Sequence, residues 1–368
     1  MKKIVVSAVN LRKGGTLTIL RDCLEYLSGL ARTGEYEVIA LVHRKDLTPF
    51  EGIEFIEMPD VASSWLKRLW CEYVTMNSIS KRLSPVYLWL SLHDATPNVK
   101  AEKRAVYCHN PFPFYKLKMK DIFLNYRIFC FACFSRYIYR INIRKNDLVL
   151  VQQQWIRNAF VSMFRLDPSR IAVALPASSS AVAGQSVTAE RSGRYTFIFP
   201  SYCDVHKNFE TVCKAAECLE REVGVGKFRV VLTVSRDENR YTRWLCGRWG
   251  GVSSIDFAGF MPKEKLYELY GRSDCLIFPS LVETWGLPIS EFAAFGKPML
   301  LADLPYAHET AAGSRMAAFF SPDDHIELKN MMKRLLLNDV SFLHPVPCLD
   351  IEPPVTRSWK ELFDLLLA

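Results

Sequence analysis

Residues 278–298, FPSLVETWGLPISEFAAFGKP, determine how the second half of the chain folds. The residues just before them, 274–278, form a short apolar run of the kind that a buried parallel strand uses. Pro288 can open a helix because a first helical residue needs no free N–H, and Gly296 can end that helix. Residues 297–303 predict the next strand. The stretch therefore predicts a βαβ unit.

Two acids, Glu283 in the loop and Glu291 in the first turns of the helix, stand where such a unit binds ligands. In open parallel sheets, ligands collect outside the carboxyl ends of the strands. A plainer interpretation is that Glu283 is solvated and that Glu291 complements the helix dipole. A capping box would need Ser or Thr at position 288, where the chain has proline, so capping does not explain Glu291. The residues alone leave both interpretations open.

The stretch resembles the E-x7-E motif of retaining glycosyltransferase family 4, whose members have the GT-B fold. Glu283 and Glu291 have the spacing of that motif, and the context also matches through Pro279-Ser280, Gly286-Leu287-Pro288 and Gly296-Lys297-Pro298. The resemblance implies an α/β chain of two Rossmann-like parallel-sheet domains facing across a cleft. It implies an acceptor-side domain over 1–178, a linker over 179–193, a donor-binding domain over 194–354 and a last helix, 355–368, that crosses back onto the first domain.

Length and composition agree with two globular domains in a reducing compartment. A chain of 368 residues is long for one core, and 49% hydrophobic with 23% charged residues is a globular composition. The eleven cysteines form no disulfide pattern. Cys130 and Cys133 form a single C-x2-C with no second pair, which favours buried thiols over zinc. The chain starts directly in a strand, with no signal-peptide pattern, so we expect a cytoplasmic protein.

The positive charge is concentrated in the first half. Residues 61–170 hold 18 Lys and Arg against 6 Asp and Glu, a net charge of +12, which suggests an anionic partner. Residues 114–145 mix aromatic and basic side chains, but polar residues interrupt the run, so no spanning helix is predicted. A core helix with a solvated basic face and a helix lying on an anionic membrane, at the cytoplasmic inner face, are the two interpretations. Residues 64–83 predict another helix, with Leu66, Leu69, Trp70 and Tyr73 buried.

Three features of the first half follow predicted strands. Gly14 and Gly15 lie between a strand and a helix, a geometry that can hold an anion, although the residues alone favour a plain tight turn. His93 after the next buried strand is best explained as a hydrogen-bonded structural group. The segment around His109, VYCHNPFPFY, resembles the one in which family 4 enzymes place a histidine over the donor sugar. An imidazole there could bind a sugar hydroxyl and lie against a transition state that gains positive charge.

His206 and Lys207 lie where the first helix of the second domain is predicted to begin. A cation at a helix N-terminus opposes the dipole, and a bound anion would remove that conflict. The family resemblance implies that Lys207 binds the donor diphosphate. Many relatives also have an arginine a few residues earlier, where this chain has Ser201-Tyr202, so either His206 or Arg12 would have to replace it.

The resemblance implies retaining sugar transfer from a nucleotide-diphosphate sugar to a glycan or lipid-linked glycan, as in O-antigen or capsule synthesis. Glu291 would accept hydrogen bonds from the ribose, and Glu283 would bind the transferred hexose. His109, Glu283 and Lys207 are the predicted catalytic residues. The predicted donor-binding residues are Gly14, Gly15, Lys207, Phe260, Met261, Glu283, Thr284, Trp285, Gly286, Leu287 and Glu291. The chain has no D-x-D triplet, so no metal and no cofactor are expected.

Two other functions are open to this sequence. One is a catalytically silent GT-B protein that binds sugar nucleotides as a scaffold, which the missing arginine favours. The other is a nucleic-acid-binding protein that uses the basic 61–170 face, for which the chain shows no binding motif, so no nucleic-acid partner is expected.

Overall fold

The computed structural model describes residues 1–12, 14–176 and 193–368. They form two compact units. The first consists of Met1–Asn110, Phe134–Ala177 and Ile351–Ala368, and the second of Pro111–Cys133 and Ser178–Asp350. Within the described residues, no helix is both long and apolar enough to cross a membrane.

The first unit is built on an eight-stranded sheet in the order β14-β7-β6-β5-β4-β1-β2-β3, and its paired strands are parallel. Its strands read as apolar runs because helices cover both faces of such a sheet. The strands are β1 Lys2–Ala8, β2 Tyr36–Val42, β3 Ile53–Glu57, β4 Leu88–Ser91, β5 Lys103–Tyr107, β6 Leu148–Val151, β7 Ile171–Ala174 and β14 Val355–Thr356. The helices are α1 Gly14–Ala31, α2 Trp65–Trp70, α3 Met76–Arg82, α5 Gln154–Phe164 and α12 Trp359–Leu367. Helix α4, Met119–Arg140, begins among residues of the second unit and ends in the first.

The last residues of the chain belong to the first unit. Val355 of β14 pairs with Val173 of β7. The Tyr87 hydroxyl donates to the Leu367 carbonyl at 2.8 Å, and the rings of Tyr26 and Phe363 stack with centroids 5.2 Å apart. Helix α12 is thereby fixed to the first sheet.

The second unit has a six-stranded parallel sheet in the order β10-β9-β8-β11-β12-β13. The strands are β8 Tyr195–Phe199, β9 Phe228–Leu232, β10 Ile255–Phe257, β11 Cys275–Phe278, β12 Met299–Ala302 and β13 Ala317–Phe320. The helices are α6 Phe209–Val223, α7 Arg240–Trp249, α8 Lys263–Arg272, α9 Leu287–Ala293, α10 Pro305–Thr310 and α11 His325–Leu336. The βαβ unit predicted from residues 274–303 is confirmed as β11, α9 and β12.

The single buried-face helix predicted over residues 64–83 is wrong. A π-helical turn, Cys71–Thr75, separates α2 from α3, and its extra residue shifts the register of the buried face. Cys71, Met76 and Ile79 are buried, whereas Leu66 is 79% and Trp70 65% exposed. Leu69 and Tyr73 are half-buried.

The predicted first domain, 1–178, includes residues 111–133, which the structure groups with the second unit. Lys120 forms an ion pair with the buried carboxylate of Glu210, and Asn125 Nδ2 donates to Asp204 Oδ1 at 3.1 Å. These partners lie 90 and 79 residues further along the chain, so no local pattern could indicate them. The predicted linker, 179–193, lies outside the described residues except for Gly193.

Candidate functional site

The loop between β11 and α9 is shaped by Gly286, which caps α9 in the left-handed region at φ +86°. A Cβ on Gly286 would lie 3.4 Å from both Phe278 Cε1 and Ile289 Cδ1. These buried side chains come from the strand and the helix that flank the loop. Glycine at this position therefore lets the loop turn tightly and hold Glu283 above the end of β11.

Glu283 forms an ion pair with Lys207, 76 residues earlier in the chain. Lys207 Nζ lies 2.5 Å from Glu283 Oε1, with the two side chains 7% and 13% exposed. Burial works against the charged form of Lys207, but Glu283, Tyr202 and Asp204 together outweigh it and raise the pKa of Lys207 above its ordinary value. Within the protein, the charge of Lys207 is therefore balanced by the carboxylate of Glu283.

Two further contacts tie the Lys207 turn to the Glu283 loop. The Leu281 N–H donates to the His206 carbonyl at 2.8 Å. Asn208 Nδ2 donates to the carbonyls of Pro279, at 3.2 Å, and Pro322, at 2.8 Å. Asn208 has φ +60°, a backbone state that asparagine tolerates better than most residues. The role of Asn208 was not predicted from the sequence, although a K-N pair just before an apolar helix is a local signal for such a turn.

The position of the expected arginine is taken by Tyr202. The Lys207 ammonium lies 4.7 Å from the centre of the exposed Tyr202 ring, and the Tyr202 hydroxyl lies 3.2 Å from His206 Nε2. His206 is fully buried, and burial together with the neighbouring Lys207 charge holds the pKa of His206 well below its usual range. A neutral imidazole does not supply the second positive charge of an arginine. The other predicted replacement, Arg12, is an exposed residue of the first unit.

Glu291 is held by α8. The Tyr270 hydroxyl donates to Glu291 Oε2 at 3.2 Å. Tyr270 is fully buried, and burial and the carboxylate together raise the pKa of Tyr270 well above its ordinary value. Tyr270 therefore remains a donor to Glu291 at neutral pH and fixes the direction of a half-buried carboxylate.

The other residues predicted on the second unit surround the same sheet edge. Phe260 and Met261 follow β10, where Gly259 turns the chain at φ +80° and the Phe260 ring projects into solvent. Trp285 Nε1 donates to Ser290 Oγ at 3.2 Å, and the Trp285 carbonyl accepts from the Thr310 hydroxyl. Thr284 is half-buried and Leu287 exposed. The structure thus places Lys207 and Glu283 in contact and Glu291 on the helix that follows the Glu283 loop.

His109 lies in the first unit, just after the carboxyl end of β5. His109 Nε2 lies 2.5 Å from the Leu92 carbonyl oxygen, which can only accept, so Nε2 carries the proton. Gly14 and Gly15 are exposed and begin α1 after the carboxyl end of β1. His93 is buried with Nε2 2.9 Å from Glu72 Oε1, which supports its interpretation as a structural group.

Asp94 orders the backbone at His109, and this role was not predicted from the sequence. Asp94 Oδ1 accepts from the N–H groups of His109, at 2.7 Å, and Asn110, at 3.0 Å, and from the buried Tyr139 hydroxyl at 2.8 Å. Asp94 has φ +71°, a strained state that persists where its surroundings enforce it. A single carboxylate oxygen therefore sets the direction in which the chain leaves β5.

Asp94→Ala is expected to lower the free energy of unfolding by about 1–3 kcal/mol, because it leaves these donors unpaired. Hydrogen exchange should show the His109 and Asn110 amides losing protection while β5 keeps its own. Asp94→Asn retains an acceptor oxygen and tolerates positive φ, so it should recover most of the protection. If the His109 and Asn110 amides exchange as fast in Asp94→Asn as in Asp94→Ala, the hydrogen bonds of Asp94 are not what orders the segment.

The sequence of the chain is similar to those of known glycosyltransferases. Residues 185–344 match the family Glycosyl transferases group 1, and this match contains Lys207, Glu283 and Glu291. The chain is 20% identical over 347 residues to the O-antigen chain mannosyltransferase RfbU of Salmonella typhimurium, covering 90% of each protein.

Solved structures with the same fold include WaaG, a glycosyltransferase involved in lipopolysaccharide biosynthesis. It has a TM-score of 0.65 and 11% identity, with 93% of each chain covered. Anabaena HepE in complex with UDP-glucose has a TM-score of 0.63 and 14% identity, over 93% of this chain and 92% of that one. These likenesses confirm the predicted GT-B fold of two Rossmann-like parallel-sheet domains.

Proposed function

We propose that this chain is a retaining glycosyltransferase of family 4 that transfers a hexose from a nucleotide-diphosphate sugar to a glycan or lipid-linked glycan. The observation that carries the proposal is the buried Lys207–Glu283 ion pair. It joins the two residues that the reaction needs at the donor, within the segment that matches the group 1 glycosyl transferases. Two similar proteins, an O-antigen mannosyltransferase and a protein in complex with UDP-glucose, agree with this chemical class.

The pair suits a donor that carries both a diphosphate and a sugar. A buried lysine that stays charged can stabilise the diphosphate of a donor. Glu283 can then accept hydrogen bonds from hydroxyls of the transferred sugar, since a carboxylate has about four acceptor sites. Leu287 N–H, Thr284 and the Trp285-Gly286 backbone complete the proposed contacts of this loop.

Glu291 is proposed to bind the ribose. One of its oxygens accepts from Tyr270, and the remaining acceptor capacity is enough for the two vicinal hydroxyls of a ribose. Because Tyr270 fixes the carboxylate, Glu291 can recognise the nucleoside without first losing side-chain freedom. Phe260 and Met261, after Gly259, are proposed to hold the base.

In the proposed reaction, the bond from the anomeric carbon to the diphosphate oxygen breaks and a bond from that carbon to the acceptor oxygen forms on the same face. A donor phosphate oxygen takes the acceptor proton, and the nucleoside diphosphate leaves. Lys207 stabilises the growing negative charge of the leaving group. His109, with its ring fixed by Leu92 and its backbone by Asp94, is proposed to stabilise positive charge on the sugar. We assign no metal and no cofactor to this step.

The acceptor is proposed to be a lipid-linked or growing surface glycan. The net charge of +12 over residues 61–170 favours an anionic acceptor or an anionic membrane surface. Several large apolar side chains of α4 project into solvent, including Met119, Phe123, Tyr126, Phe134 and Tyr137. We therefore propose a cytoplasmic protein that is peripheral to the inner face of the membrane.

A thermal-shift screen against UDP, GDP, ADP and dTDP sugars tests the proposal. At a concentration 100 times its Kd, the true donor should stabilise the chain by about 2.7 kcal/mol. Glu291→Ala should remove the shift and the transfer, whereas Glu268→Ala, an exposed glutamate on α8, should change neither. Transfer should persist in EDTA, and NMR of the product should show the anomeric configuration of the donor.

The same screen separates the other two functions. A donor that stabilises the chain without being hydrolysed or transferred would support the silent scaffold. A salt-dependent gel shift of RNA or DNA with no donor binding would support a nucleic-acid-binding protein.

A further inference from the structure

The first unit carries a cluster of arginines around one cavity, away from His109. A cavity of about 310 Å³ lies between the end of α4 and the end of α5. Its lining includes four arginines, Arg136, Arg140, Arg144 and Arg165. Helix α5 starts at the carboxyl end of β6 and runs back to the start of β7. The cavity therefore lies at the edge where the strands begin, opposite the edge that carries His109.

The arginine charges in this cavity are not neutralised within the described residues. Arg136, Arg140 and Arg165 form no ion pair there, and Arg144 donates only to the Phe164 carbonyl, through Nε at 3.3 Å and Nη2 at 3.1 Å. The nearest acids in sequence have other donors: Asp147 accepts from the Arg104 N–H, and Asp167 accepts from the Ser169 N–H. Four guanidinium groups around one cavity repel each other, and a bound anion would relieve that repulsion.

We propose that this arginine cavity binds a phosphate group, separately from the donor site. A guanidinium presents a planar fork of donors that matches phosphate oxygens in pairs, and it stays charged at any physiological pH. The arginines come from α4, from the turn Ile143–Lys145 and from the residue after α5. The four arginines are exposed, and they converge on one cavity from three separate chain segments. The walls between them, Ile143 and Phe164, are buried.

The phosphate can belong to a soluble compound or to a lipid headgroup. Phe134, Tyr137 and Ile141 lie at helical spacing beside Arg136 and Arg140 and are exposed, so an apolar surface adjoins the cavity. Inorganic pyrophosphate and phospholipid vesicles therefore serve as the two probes.

Arg136→Gln/Arg140→Gln tests the site, because glutamine keeps the helix propensity and removes both charges. The control is Arg32→Gln/Arg357→Gln, which removes the same charge from exposed positions of the same unit outside residues 61–170. Binding of pyrophosphate, measured by calorimetry, and of vesicles of phosphatidylglycerol with phosphatidylcholine, measured by sedimentation, is compared for the three proteins. The cavity variant should bind at least about tenfold more weakly than the control variant.

If the cavity variant loses pyrophosphate binding, the ligand of the cavity is a soluble phosphate compound. If it loses vesicle binding alone, the ligand is a lipid headgroup. Equal binding by the cavity and control variants, or no binding by the unmodified protein, would overturn the proposal that the cavity binds phosphate. RNA binding that depends on Arg136 and Arg140, without a pyrophosphate response, also overturns it. The donor thermal shift should be the same in all three proteins, so a failure here leaves the proposed function untouched.

Discussion

Lys207→Met is expected to abolish sugar transfer and to lower the free energy of unfolding by about 3–5 kcal/mol. The variant loses the cation at the diphosphate and leaves the Glu283 carboxylate buried without its partner. Urea unfolding and a transfer assay with the donor found by the screen measure the two effects. Lys360→Met is the control, since Lys360 and Asp364 form an ion pair at 2.7 Å with side chains 74% and 59% exposed. Because both side chains are exposed, this pair should contribute little to stability.

Lys207→Met/Glu283→Gln separates stability from catalysis. Removing both charges removes the unpaired group, so the double variant should regain most of the stability that Lys207→Met loses. Transfer should stay at least about a hundredfold below that of the unmodified chain, because the charge that stabilises the leaving diphosphate is still missing. A double variant that recovered transfer would show that the pair serves only the fold.

Gly286→Ala is expected to lower the free energy of unfolding by about 1–2 kcal/mol, because alanine at φ +86° is strained. The new methyl group would also press on Phe278 and Ile289, each 3.4 Å away. The loop must shift to relieve that contact, and Glu283 shifts with it. Transfer should therefore fall at least about tenfold, since small misplacements at a reacting centre have large effects on rate.

Gly247→Ala is the matched control for this prediction. Gly247 lies in α7, and a Cβ there meets nothing within 4 Å. Alanine in a helix interior should stabilise the chain by about 0.5–1 kcal/mol and leave transfer unchanged. Gly286→Ala with unchanged transfer would mean that the position of Glu283 does not depend on this turn.

The elements that sequence predicts well are those fixed by local rules. The strand, loop and helix around Glu283 follow from an apolar run, a proline in the first turn and a glycine. The prediction of one helix over residues 64–83 is wrong because one extra residue in the π-helical turn changes which face is buried. Hydrophobic spacing does not reveal such an insertion. Trp70 is exposed and Met76 buried for that reason.

The sequence proposes residues for the candidate site but does not show their contacts. The type and spacing of Glu283 and Glu291 could be read from the motif, and Lys207 from its place after a strand. That Lys207 pairs with Glu283 depends on β8 and β11 being neighbours in the sheet, which is a property of the whole fold. The roles of Asp94 and Asn208 depend on left-handed backbone conformations that hydrophobic periodicity does not encode.

A crystal structure of the chain with the donor found by the screen would test the proposed donor site. We expect the diphosphate within hydrogen-bonding distance of Lys207, sugar hydroxyls on Glu283 and ribose hydroxyls on Glu291. A nucleotide sugar bound elsewhere, with the Lys207–Glu283 pair intact and Glu291 contacting only Tyr270 and solvent, would contradict this expectation.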